Sequence, residues 1–90
     1  MQDNYEKSKL HLKQALATVV KKHRKKQGKS ISKISAEILM TKSIWQTLES
    51  GKKDPQYTTI WRVAEALNLS VSQLNDEIIE LLGKDFSLID

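Results

Sequence analysis

Apolar residues recur at three- and four-residue steps along the first third of the chain. Together they form one stripe, as an amphipathic helix requires. The stripe consists of Leu12, Ala15, Leu16, Val19, Val20 and His23. Lys25 and Lys26 suit the negative end of a helix dipole, and Gly28 then provides a left-handed stop. The pattern predicts a long first helix over about residues 5–27.

Two short helices are predicted next, each preceded by a hydroxyl side chain that can cap free N–H groups. Ser30 precedes the first of them, in which three isoleucines share a face: Ile31, Ile34 and Ile38. Thr41 precedes the second, and Gly51 ends it. The inward face of this second helix is predicted to hold Ile44, Trp45 and Leu48.

The remaining sequence predicts two further helices, which follow a charged loop at residues 52–55. The first covers about residues 57–67 and has the apolar set Ile60, Trp61, Val63, Ala64 and Leu67. Asn68 is a suitable left-handed terminator for it. The second helix starts with a capping box, in which Ser70 and Gln73 exchange hydrogen bonds with the backbone. It ends at Gly83, and its apolar face consists of Val71, Leu74, Ile78, Leu81 and Leu82.

Length and composition indicate one all-helical domain. The chain has 90 residues with one proline and three glycines, and so few turn-forming residues favour helices over strands. It has no cysteine, which excludes disulfides and cysteine-based zinc sites. The sequence shows neither a signal peptide nor a membrane span, so we expect a soluble, cytoplasmic protein. We predict a single domain over residues 1–90, with its core at about 9–82 and a tail at 83–90.

The net charge of +4 conceals a strong asymmetry between the two halves of the chain. Residues 1–53 hold thirteen Lys/Arg and four acids, a net charge of +9. Residues 54–90 hold two bases and seven acids, a net charge of −5. A basic half attracts a polyanion such as nucleic acid. Charge alone leaves open the alternative that the lysine-rich stretches are only solvated helix faces.

One ungapped register, which covers about half of the chain, carries a recognisable pattern. It consists of Arg24, Gly28, Ser30, Ile34, Ile38, Met40, Thr41, Trp45, Leu48, Glu49, Gly51, Lys52, Pro55, Ile60, Ala64, Leu67, Ser70 and Leu74. In these residues the sequence resembles the phage repressor/Cro-type (XRE-like) helix-turn-helix family of DNA-binding transcriptional regulators. The resemblance implies a compact, five-helix, lambda-repressor-like domain whose third helix, at about residues 42–50, enters the major groove.

The polar face of this third helix carries the residues expected to touch DNA. A helix that reads the major groove needs an apolar face for docking and a polar face that reaches base edges. Base reading is predicted for Lys42, Ser43, Gln46 and Thr47. Lys42 suits guanine, Ser43 suits several bases, and Thr47 suits a thymine methyl group. Phosphate contacts are predicted for Ser32, Lys33, Ser50, Lys52, Lys53 and Thr58. The alternative is a plain solvated helix face.

Other positions in this pattern concern the packing of the helices rather than contact with DNA. In the family, the positions of Arg24 and Glu49 form a partly buried ion pair that ties the first helix to the end of the third. The sequence departs from the family at Leu39, where the turn usually has glycine. Because leucine is disfavoured at positive φ, we expect a reshaped turn or a local slip in register. Trp45 replaces an aliphatic residue, and its indole N–H needs a partner when buried.

Surplus apolar residues near the C-terminus predict a homodimer. The fifth helix and the tail exceed what so small a core must bury, and two linked half-sites raise both affinity and specificity. The predicted dimer interface comprises Leu74, Ile78, Leu82, Phe86 and Leu88. The alternative is a tail that folds back on its own core.

The chemistry of the sequence favours a regulator over an enzyme. His11 and His23 have no nucleophile or carboxylate constellation beside them, and metal-ligand spacing is missing. We therefore predict no catalytic residue, metal or cofactor. The predicted function is that of a small dimeric repressor, controller or antitoxin that binds a pseudo-palindromic double-stranded DNA operator. The main alternative is a protein-interaction module on the same scaffold, which binds a toxin or a polymerase subunit without specific DNA readout.

Overall fold

A computed structural model describes residues 2–89 of the chain, with side chains for 4–89. Within that part, five helices follow one another and there is no strand: α1 (Gln2–Lys26), α2 (Ile31–Glu37), α3 (Lys42–Glu49), α4 (Tyr57–Ala66) and α5 (Val71–Leu82). The predicted all-helical, five-helix fold is confirmed. Met1 and Asp90, the ends of the predicted domain, lie outside the described residues. No helix described here has the length and apolar character needed to cross a membrane.

Side-chain caps start two of the helices as the sequence predicts. The hydroxyl of Ser30 accepts a hydrogen bond from the backbone N–H of Lys33 at 3.1 Å. At the start of α5, the Ser70 hydroxyl accepts from the Gln73 N–H at 3.0 Å, and the Gln73 side chain accepts from the Ser70 N–H at 2.8 Å. Thr41 precedes α3 as predicted, but its hydroxyl makes no cap hydrogen bond. These caps fix where α2 and α5 begin.

The turn between α2 and α3 keeps its regular geometry despite the leucine. Leu39 adopts φ +55°, its N–H donates to Ala36 O at 3.1 Å, and the Met40 N–H donates to Ser35 O at 2.9 Å. This pair of bonds is the Schellman motif, which normally has glycine at the left-handed position. The expectation of a reshaped turn or a slipped register is therefore wrong. The structure tolerates a left-handed leucine, and its side chain is 93% exposed.

One core joins all five helices. The buried apolar residues of this core are Ala15, Leu16, Val19, Val20, Ile34, Met40, Trp45, Leu48, Val63, Ala64, Leu67, Leu74 and Ile78. Three residues that the periodicity placed inward, namely Ile44, Trp61 and Leu81, are instead about half exposed. Successive helical residues are about 100° apart, so Trp45 and Leu48 occupy the inward side of α3 and turn Ile44 towards its flank.

The predicted dimer residues lie mostly within the subunit. Leu74 is fully buried and Ile78 is 7% exposed, so assigning them to a dimer interface is wrong: they fill the core beneath α5. Leu82 packs against the same core. The rings of Phe86 and His11 meet edge to face with centroids 6.0 Å apart. With Leu88 half-buried as well, the tail folds back on its own subunit.

Candidate nucleic-acid interface

Helix α3 has one buried side and one exposed polar side. Trp45 and Leu48 lie in the core with 0% and 2% of their surfaces exposed. The four side chains predicted to read bases are all exposed: Lys42, Ser43, Gln46 and Thr47. Because residues three and four apart share a helix side, the structure brings these four together on one surface. Because Trp45 is buried in the core, the opposite side of α3, which carries these four residues, faces outward.

Internal hydrogen bonds limit what the hydroxyl groups of this surface can offer. Thr47 donates its hydroxyl hydrogen to the carbonyl of Ser43 at 2.6 Å. Its methyl group and an oxygen lone pair therefore remain available for a partner. The hydroxyls of Ser43 and Thr41 lie 3.4 Å apart, and either one can be the donor. Ser43 thus keeps the capacity to donate or accept, whereas Thr47 presents an apolar group and an acceptor.

The residues predicted to contact phosphate surround α3 at three places, and all of them are exposed. Ser32 and Lys33 lie in the first turn of α2, and Thr58 lies in the first turn of α4. The segment that follows α3 contributes Ser50, Lys52 and Lys53. No hydrogen bond or ion pair within the described residues engages the Lys33, Lys52 or Lys53 ammonium, so these three charges face solvent.

An open groove of about 430 Å³ runs along one side of α3. Ser43 and Thr47 of α3 line it together with Lys53, Asp54 and Thr59. Ile44, which is 47% exposed, adds an apolar element beside them. The groove therefore joins the polar surface of α3 to the basic loop that follows it.

An ion pair fixes the end of α3 to α1. The Arg24 guanidinium donates to Glu49 through Nε at 2.6 Å and through Nη2 at 2.8 Å, and its Nη1 donates to the Lys29 carbonyl at 2.9 Å. The indole N–H of Trp45 donates to the same carboxylate at 2.6 Å. Only 11% of the Arg24 side chain and 6% of the Glu49 side chain are exposed. The hydrogen bond to Glu49 raises the pKa of Arg24 above its ordinary value, so the guanidinium stays charged.

Gly51 permits the close approach of α3 to α1. Its φ is +74°, and a Cβ placed there would lie 3.3 Å from Gln14 Cγ and 3.4 Å from Gln14 Cα. Any side chain would therefore be strained by the backbone and crowded by α1. Gly51 and the Arg24–Glu49 pair together set the position of the polar surface relative to the long helix.

Four contacts elsewhere in the fold were not predicted from the sequence. Arg62 on α4 donates to the carbonyl of Ile38, next to the turn. Lys29 and Glu37 pair at 2.7 Å across α2. Glu77 on α5 accepts from Lys22, and also bonds His23 at 2.7 Å, both on α1. These partners are separated in sequence by up to 55 residues, so no local spacing signals them.

Fold and exposed surface together define a helix-turn-helix protein: two short helices joined by a tight turn, the second displaying a polar side. In a comparison with protein families, the helix-turn-helix family model matches residues 20–74, more than half of the chain. The chain belongs to the Cro/C1-type (XRE-like) helix-turn-helix family and is a DNA-binding regulator. That family is regulatory rather than enzymatic. Searches of curated proteins and of solved structures gave no match.

Proposed function

We propose that the chain binds a specific double-stranded DNA operator by placing α3 in the major groove. The observation that carries this proposal is the division of α3 into a buried apolar side and an exposed polar side. Trp45 and Leu48 hold the helix in the core, while four short or medium polar side chains project away from it. A major groove about 12 Å wide accepts such a helix and presents a distinct pattern at each base pair.

Within this proposal the polar side chains have separate roles. Lys42, at the N-terminal end of α3, donates to guanine O6 and N7. Thr47 offers its methyl group to a thymine methyl, because its hydroxyl hydrogen is engaged by Ser43. Ser43 and Gln46 can each donate and accept, so they suit more than one base edge. Ser32, Lys33, Ser50, Lys52, Lys53 and Thr58 hold the backbone phosphates on either side.

Selection of binding sites from random duplex DNA tests the specific readout. The wild-type chain is expected to enrich one sequence, and the double variant Lys42→Ala/Thr47→Ala is expected to lose that preference while its circular dichroism stays unchanged. Lys25→Ala serves as the matched control. Lys25 is exposed in the last turn of α1, and its substitution removes one positive charge that does not belong to the polar surface of α3. The proposal is wrong if the double variant selects the same sites as the wild type.

The salt dependence of binding separates phosphate contacts from base contacts. Each neutralised phosphate contributes about 0.9 to the slope of log K against log salt on duplex DNA. Lys52→Ala should reduce that slope by about one and keep the preferred sequence. Lys42→Ala should change the preferred sequence as well. If Lys52→Ala alone abolished sequence preference, the assignment of this residue to phosphate would fail.

We further propose that the operator is pseudo-palindromic and that the chain binds it as a homodimer. The burial of Leu74 and Ile78 moves the proposed interface to the outer side of α5. There Ile79 is 60% exposed, and half-buried Leu82 lies one turn further on. Ile89 in the tail is a further exposed apolar residue, with 94% of its surface open. Pairing through this acidic half leaves both basic halves free to face one side of a duplex.

Sedimentation of the purified chain tests the dimer. Ile79→Asp is expected to shift the protein towards monomer, because burying an unpaired charge in an apolar interface is costly. Leu81→Asp is the matched control: Leu81 is 51% exposed on the same helix but lies beside Lys22 and Thr18 of its own subunit. A wild-type chain that remains monomeric at high concentration and on operator DNA rules the dimer out.

A protein-interaction module is the second candidate. The exposed aromatic pair of α4 favours it: Tyr57 and Trp61 are 66% and 50% exposed, with ring centroids 6.1 Å apart. Aromatic side chains are enriched where proteins meet. Binding to generic duplex DNA decides between the two candidates, because a DNA binder with about six phosphate contacts loses roughly 10³-fold in affinity from low to moderate salt.

A further inference from the structure

A second concave site lies away from the polar surface of α3, on the side of the molecule where α1, α4 and α5 meet. This groove has a volume of about 270 Å³. Its floor is made of aliphatic side chains from three helices and the tail: Leu12, Leu16, Ile60, Ile78 and Leu88. The rings of Tyr5 and Tyr57 stand at its mouth. The groove is thus an apolar cleft with aromatic edges, the usual form of a small-molecule site.

Two lysines place positive charge on the wall that α1 provides. Lys9 and Lys13 lie one turn apart and are both half-buried. Lys9 Nζ lies 5.8 Å from the centre of the Tyr5 ring, and Lys13 Nζ donates to the Lys52 carbonyl at 3.3 Å. Neither ammonium lies within ion-pair distance of a carboxylate among the described side chains. Asp54 is the one acid among the lining residues, so two lysines leave the lining with a net positive charge.

We propose that this groove binds a small amphipathic carboxylate. The aliphatic floor favours the apolar part of such a ligand, because binding there removes apolar surface from contact with water. The two half-buried lysines take the carboxylate, since a charge-assisted hydrogen bond is stronger than a neutral one. Small-molecule pockets usually measure about 300–1,000 Å³, so a groove of about 270 Å³ suits a small ligand of about ten non-hydrogen atoms. An aryl-substituted short-chain acid such as 3-phenylpropionate has this size and shape.

Amide chemical shifts of the isotope-labelled full chain, followed during titration with 3-phenylpropionate, test the site. Saturable shifts are expected for the floor residues Leu12, Leu16, Ile60, Ile78 and Leu88. The neutral analogue 3-phenylpropan-1-ol should bind about tenfold more weakly, because it lacks the charge that the lysines engage. No DNA is present in this measurement, so its outcome is independent of the proposed DNA-binding function.

A pair of matched double variants tests the role of the two lysines. Lys9→Gln/Lys13→Gln should weaken binding of 3-phenylpropionate about tenfold. Lys25→Gln/Lys26→Gln removes the same charge from the exposed last turn of α1, and should leave the affinity unchanged. The proposal is overturned if the floor residues show no saturable shifts up to about 10 mM ligand. Equal binding of acid and alcohol, or equal weakening by both double variants, also overturns it.

Discussion

Removal of Arg24 should destabilise the fold far more than removal of an exposed charge. The Glu49 carboxylate accepts three hydrogen bonds, two from Arg24 and one from the Trp45 indole, and only 6% of its side chain is exposed. Arg24→Ala leaves that carboxylate buried with the indole donor alone. Breaking a buried pair in this way lowers the free energy of unfolding by about 3–5 kcal/mol. The whole free energy of unfolding of a small domain is about 5–15 kcal/mol. The melting temperature should fall by at least roughly 12 °C, at about 4–8 °C per kcal/mol.

Urea unfolding followed by far-ultraviolet circular dichroism measures this loss, and Lys29→Ala provides the control. Lys29 pairs with Glu37, but their side chains are 24% and 40% exposed, so the pair is worth about 1 kcal/mol or less. The backbone carbonyl of Lys29, which accepts from Arg24, remains in that variant. If Arg24→Ala and Lys29→Ala lowered the free energy of unfolding equally, the buried pair would not be the tie between α1 and α3 that the geometry indicates.

Three further changes probe the turn, the α3–α1 contact and the α1–α5 contact. Leu39→Gly should raise the free energy of unfolding by up to about 1 kcal/mol in urea titrations, because it removes the backbone strain of a leucine at positive φ. Little packing is lost, since Leu39 is 93% exposed. An unchanged midpoint would show that the turn is not strained. Gly51→Ala should lower the free energy of unfolding more than Gly28→Ala. Both glycines have positive φ, but only at Gly51 would an added methyl group lie within 4 Å of atoms of α1. Equal losses of stability would contradict the packing argument. The hydrogen bond from Lys22 lowers the pKa of Glu77 below its usual 4.5, so its stabilising effect is present above that pH and is lost as pH falls through the lowered pKa. Glu77→Gln should therefore approach the wild-type stability in acid, and a constant difference between pH 6 and pH 2.5 would contradict this.

Local chemistry made several helix ends predictable, as well as the need of the buried Trp45 indole for a hydrogen-bond partner. The capping box at Ser70 and the left-handed Asn68 both depend on neighbours within a few residues, and both are present. Trp45 needed a partner for its N–H once buried, and Glu49 lies one helical turn further along to supply it. Features that depend on one turn of helix can be read from spacing because the helix fixes the distances.

Features that depend on how helices pack could not be predicted in the same way. Apolar periodicity marks Leu74 and Ile78 as buried but does not tell whether their own core or a second subunit covers them. The same limit applies to Ile44, which is apolar and next to buried Trp45 and yet is 47% exposed. Leu39 shows the reverse effect, because packing on both sides of the turn outweighs the local preference of leucine for negative φ.

The distribution of ion pairs shapes the field that DNA meets. Lys22 and Lys29 pair with Glu77 and Glu37, so part of the basic charge of residues 1–53 is neutralised within the fold. Glu49, the last residue of α3, is neutralised by Arg24. Among the described side chains near α3, those that make no ion pair include three bases, Lys42, Lys52 and Lys53, and one acid, Asp54. The fold thus concentrates positive potential beside the exposed side of α3, where phosphate contacts orient a duplex and base contacts then select its sequence.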